Sequence, residues 1–159
     1  MRFSFFIAVF IAFSPNLSKA IDVQNSSSVT IMQDLSLTQQ TELNFGKVLI
    51  PASGTHLVRV KNNGDYHETT TGTIGNSQTH GRFYVTGEPN ATIKYTKIAV
   101  SSSIPGVTFD RIYLTSSQTI PGDGDRYVNV GGRIYVDSTA QSGVYNNGEL
   151  SYTFSAEYE

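Results

Sequence analysis

The sequence predicts an all-β fold, a two-sheet β-sandwich of about nine strands, and three observations carry that expectation. Beyond its first twenty residues the chain is rich in Thr, Ser, Val, Tyr and Gly and poor in Leu, Ala, Glu and Lys, the residues that build helices. Apolar and polar residues alternate in short runs, the pattern of half-buried strands. Gly, Pro and Asn punctuate those runs at uneven intervals, which favours a sandwich over the regular hairpins of an up-and-down barrel.

The N-terminus is expected to be a cleaved export signal. Met1 and Arg2 give a positive start, Phe3 to Phe13 is apolar apart from Ser4, and Ser18, Lys19 and Ala20 place small residues where a signal peptidase cuts. The run is too short to cross a bilayer, and no later segment is long and apolar enough to do so. Cleavage after Ala20 leaves residues 21–159 as one domain, sufficient to bury roughly 68% of the unfolded chain's surface. It also removes Arg2 and Lys19, so nine basic side chains remain against thirteen acidic ones, a net charge of −4. The basic residues are scattered singly from Lys47 to Arg133, without the clusters that bind nucleic acid. There is no cysteine, which excludes disulfides, a thiol nucleophile and a cysteine-held zinc.

The expected strands follow in order. Val29, Ile31, Leu35 and Leu37 share one face of the first, behind a polar lead from Asn25 to Ser28. Leu43 to Ile50 forms a second, interrupted at Gly46 and stopped by Pro51. Leu57 to Lys61 is the third and Tyr66 to Thr71 a more polar fourth. Phe83 and Val85 mark a fifth that stops at Gly87. Ala91 to Val100 carries Ile93 and Tyr95, then Ile98 and Val100, and this change of parity predicts a bulge or a change of sheet. Val107 to Leu114, Tyr127 to Val136 and Leu150 to Tyr158 complete the set. Asn146, Asn147 and Gly148 are expected to turn a hairpin between the last two. Phe83, Val85, Ile93, Ile134, Val136 and Phe154 are the expected shared core.

No constellation of catalytic or ligand-binding residues stands out, and an enzyme is not expected. His56, His67 and His80 fall on separate segments without a local metal-binding spacing. Asp123 and Asp125, in P-G-D-G-D, resemble the start of a calcium loop but lack its closing glutamate, so a plain turn is preferred and no metal or cofactor is expected. The nucleophile elbow G-x-S-x-G does not occur. Nine tyrosines are ordinary strand residues, although several on one surface would stack on sugar rings.

Three stretches carry a family resemblance: L-N-F-G at Leu43 to Gly46, G-R-F-Y-V-T-G at Gly81 to Gly87, and V-G-G-R-I-Y-V with S-G-V-Y and the final alternating strand between Val130 and Tyr158. Together they resemble the bacterial exported family called domain of unknown function 4402. The resemblance implies an immunoglobulin-like or pilin-like sandwich with no catalytic residues, located in the periplasm, on the outer surface or outside a Gram-negative cell. It further implies a structural subunit of a fimbria-like assembly, with identical or related subunits, a periplasmic chaperone and an outer-membrane usher as partners. Val29, Ile31, Leu35 and Leu37 are then a candidate donor strand, and Leu150, Tyr152, Phe154, Ala156 and Tyr158, ending on a penultimate tyrosine, a candidate assembly strand. A monomeric glycan-binding module is the alternative, and a hydrolase the third reading.

Overall fold

A computed structural model describes residues 28–63, 71–75, 77–146 and 148–159. The expected signal at 1–20, His67, Asn147 and all but Thr71 of the expected fourth strand lie outside these residues. The chain divides into two units, Met1–Thr30 and Ile31–Glu159. Within the first, the described residues 28–30 form no regular element. The second carries every described strand: β1 (Ser36–Thr41), β2 (Lys47–Val48), β3 (Thr55–Val60), β4 (Thr73–Ile74), β5 (Gly81–Thr86), β6 (Thr92–Ser102), β7 (Val107–Tyr113), β8 (Ser117–Thr119), β9 (Asp125–Asp137) and β10 (Leu150–Tyr158).

The fold is all-β, with two main sheets and a small ribbon. The larger sheet runs β1-β5-β9-β3, with β7 also on β9; the second runs β10-β6-β8; β2 pairs with β4. All pairings are antiparallel. β9 organises the larger sheet. Its first half pairs with β5 from Asp125 to Val130, and Gly132 to Val136 pair with both β3 and β7, which must therefore lie on opposite edges.

That double pairing overturns the expected hairpin. Along Gly132 to Val136 β9 has no free edge, so the chain leaves the sheet after Asp137 and β10 pairs with β6. Gly148 does take the positive φ of a turn, +87°, but the strands it separates are not partners. The first strand also differs from expectation. Pairing with β5 begins at Ser36 opposite Thr86, because β5 ends there and offers nothing to residues further upstream. The second expected strand is reduced to an Asn44–Thr79 bridge and the two-residue β2.

The parity change in β6 is a bulge. Thr153 pairs with Ala99 and Phe154 with Lys97, leaving Ile98 as the extra residue, 62% exposed. Ile93 and Tyr95 before it and Val100 after it still face the interior, so one bulge allows an eleven-residue strand to serve both halves of the core.

The core forms two clusters: the first is built on the larger sheet and covered by Val100, Leu150, Tyr152 and Phe154 of the second, and the other draws buried members from both. One holds Phe45, Val58, Val60, Phe109, Ile112, Val130, Ile134 and Val136; the other holds Val85, Ile93, Tyr95, Ile120 and Val128. Phe83 and Phe154 pack against both, ring centroids 5.0 Å apart at 87°. The six expected core residues thus lie in two clusters joined by that aromatic pair. Gly132 is inward-facing for a steric reason: a Cβ there would stand 2.8 Å from Leu43 and 2.9 Å from the Phe45 ring. The space lets Phe45 meet Phe109 edge to face at 5.5 Å.

Candidate assembly edge

β10 is nine residues long and lies at the edge of its sheet; among the described residues it pairs only with β6. Leu150, Tyr152, Phe154, Ala156 and Tyr158 face the core, all half-buried. Ser151, Thr153, Ser155 and Glu157 occupy the alternate positions, so the strand carries one charge and no proline. That charge meets Lys94 at 3.7 Å on an exposed surface, a pair that contributes little stability. Long edge strands expose a row of backbone donors and acceptors that invites another strand, and proteins usually block them with charges, prolines or bulges. β10 has little of that protection.

The four apolar residues of the candidate donor strand separate. Leu35 and Leu37 pack in the same chain against the cluster containing Val85 and Ile93. Val29 and Ile31 are 83% and 86% exposed. A closed set of hydrogen bonds lies between these pairs. The Tyr158 hydroxyl donates to the Gln33 carbonyl at 2.8 Å and accepts from the Glu88 amide at 2.7 Å, while the Gln33 amide donates to the Glu88 carboxylate at 2.9 Å. The penultimate tyrosine therefore ties the last strand to the entry segment and to the turn after β5. Gly87 makes this possible, since a Cβ there would fall 2.4 Å from the Tyr158 oxygen. Sequence alone could signal Tyr158 and Gly87 individually, and Gln33 as the one polar residue on the odd-numbered face of the first expected strand; it could not signal the bonds, because Gln33 acts through its backbone and the Glu88 carboxylate finds it 55 residues away.

Tyr152 has a different environment. Its hydroxyl is buried without a hydrogen-bond partner, 2.7 Å from where a Cβ on Gly81 would stand. Burial, helped by the negative charge of Glu42, pushes its pKa up to about 12. The folded state thus favours the neutral phenol, and the unfolded chain, with an ordinary tyrosine pKa near 10, loses the proton first. The stability due to this difference is present below about pH 10 and is lost as pH rises to about 12. We expect Tyr152→Phe to match the parent's melting temperature at pH 7, since it removes an unpaired polar atom, and to melt higher than the parent at pH 11. Equal alkaline losses in both proteins would contradict this assignment.

The remaining candidates do not converge. His56, on β3, shares a 3.2 Å hydrogen bond with the Thr71 hydroxyl, and His80 lies just before β5. P-G-D-G-D is a turn, closed by the Gly124 amide on the Pro121 carbonyl. Asp125 accepts a 2.5 Å hydrogen bond from Tyr84, which raises that phenol's pKa. Among the described residues no three His, Cys, Asp or Glu side chains are grouped to hold a metal. Tyr84 and Tyr127 are neighbours at 5.2 Å but tilted by 50°, so they do not form a flat stacking platform.

Compared with known proteins, the chain matches a family model described as "Domain of unknown function (DUF4402)" over residues 35–158. The match begins at Leu35, the first described residue that packs against the core, and ends at the Tyr158 anchor. No curated protein and no solved structure matches the chain.

Proposed function

The chain belongs to the bacterial family called domain of unknown function 4402, and we propose from its geometry that it is an exported structural subunit of a surface or fimbria-like assembly. The supporting observation is the pairing of a little-protected nine-residue edge, β10, with exposed alternating residues just upstream of an anchored point in the chain. In this reading the sandwich is immunoglobulin-like or pilin-like and complete from Leu35 onward within one chain. Gln33 is the junction. Upstream of it, Ile31 and Val29, with Ile21 and Val23 at the same parity in the sequence, add to the β10 edge of the next copy. Backbone hydrogen bonds supply affinity in such strand addition, and alternate side chains supply register. A periplasmic chaperone would shield the edge before assembly and an outer-membrane usher would deliver the subunit.

Ile31→Asp tests the reading without disturbing the core, because Ile31 is almost fully exposed. The exported parent should give a ladder of oligomers on an unheated gel. The variant should melt with the parent and give no ladder, since a charge would have to be buried unpaired beside the apolar face of β10. A parent that remains monomeric, or a variant that forms the same ladder, would contradict the proposal.

A further inference from the structure

At the edge of the second sheet opposite β10, a recess of about 170 Å³ is lined by Asn62, Asn63, Thr115, Gln118, Tyr127 and Asn129. These residues come from the turn after β3, the connection between β7 and β8, β8 itself and the first half of β9. Four carboxamides, one hydroxyl and one phenol surround the space, and none of the six is charged. Such a set offers many donors and acceptors and no ion-pairing group, which suits a neutral polyhydroxylated ligand. The Asn129 Oδ1 is buried without a hydrogen-bond partner, a cost that would be offset if its carboxamide turned to present the oxygen to a ligand hydroxyl in the recess. Gln118 Oε1 accepts from the Tyr95 hydroxyl at 3.5 Å, leaving its NH2 to donate elsewhere. Tyr127 is 44% exposed, and the Arg82 guanidinium lies 3.7 Å from its ring centroid, holding the ring in place.

We propose that this recess binds a single neutral sugar ring, with Asn129 as acceptor and Tyr127 as the apolar wall. The volume is well below that of sites that enclose drug-sized ligands, so one ring rather than an oligosaccharide is accommodated. Gln118 belongs to β8, across the sheet from β10, so a strand added at the assembly edge leaves the recess uncovered. The two sites are independent: a monomeric protein would retain this one.

The test is saturation-transfer NMR on the full exported chain with methyl α-D-mannopyranoside, methyl β-D-galactopyranoside and N-acetyl-D-glucosamine as separate probes, and glucuronate as a charged control. At least one neutral probe should bind saturably with a Kd below about 10 mM. Asn129→Val should weaken that binding at least tenfold while the melting temperature holds or rises, because the unpaired acceptor is removed. Asn62→Ala, on the turn and outside the strands, should also weaken it and provides a second variant if the first is poorly folded. The proposal is overturned if no neutral probe saturates, if glucuronate alone binds, or if the folded variants bind as tightly as the parent.

Discussion

Phe154→Ala is expected to destabilise the protein by about 3 kcal/mol, lowering Tm by roughly 10 °C. Phe154 joins the two halves of the core. Its ring meets Phe83 at 5.0 Å and 87° and Tyr95 at 6.3 Å, and it packs against members of both clusters. Truncation removes apolar burial and leaves a cavity between strands that are each tied to other partners and cannot close over it. The estimate stays at the low end for a phenylalanine because the side chain is half-buried. Thermal or urea unfolding gives the answer directly; a change within error would mean that the clusters are held together by something other than the Phe83–Phe154 pair.

Gly87→Ala should be nearly as damaging, at about 2–3 kcal/mol. The added methyl would stand 2.4 Å from the Tyr158 oxygen and 2.9 Å from Ile120 Cδ1, and Ile120 is fully buried. Gly87 also donates its amide to the Gly124 carbonyl at 3.0 Å, so its backbone is not free to withdraw. The tyrosine must therefore move, and its bonds to Gln33 and Glu88 break. Tyr158→Phe alone should cost about 1–2 kcal/mol through those same bonds. In the double variant the two losses should be less than additive, because the second change removes an oxygen already displaced by the first. Strict additivity in denaturant melts would show that Gly87 and Tyr158 act separately.

Local features of this fold were legible in the sequence where one side chain's surroundings are set by its own strand. The parity change after Tyr95 located the bulge at Ile98, and Phe83 and Val85 located β5 with its end before Gly87. Pairing was less legible. Nothing in the run Tyr127 to Val136 shows that it would fill both its edges, yet that fact sends β10 to the other sheet. Ile120 and β8 went unexpected because a lone isoleucine after T-S-S-Q-T has no alternation to announce it. The Gln33–Glu88–Tyr158 set and the recess around Asn129 join residues far apart in the chain, and their chemistry exists only once the strands have met. The candidate assembly strand was visible as an alternating run; that it lies at an edge was not.

Strand addition in trans can be measured by disulfide trapping, which this cysteine-free chain makes unambiguous. One protein would carry Met32→Cys, at an exposed position beside Ile31, and a second would carry a cysteine at Ser151, Thr153 or Ser155 on the alternate positions of β10. Neighbouring residues on paired strands stand about 4.5–5.5 Å apart, within reach of a disulfide. Mixing and mild oxidation should give a heterodimer for one of the three β10 positions and much less for the other two, which would fix the register. Absence of a heterodimer at all three, or equal yields at all three, would contradict addition of the N-terminal segment to the β10 edge of a neighbour.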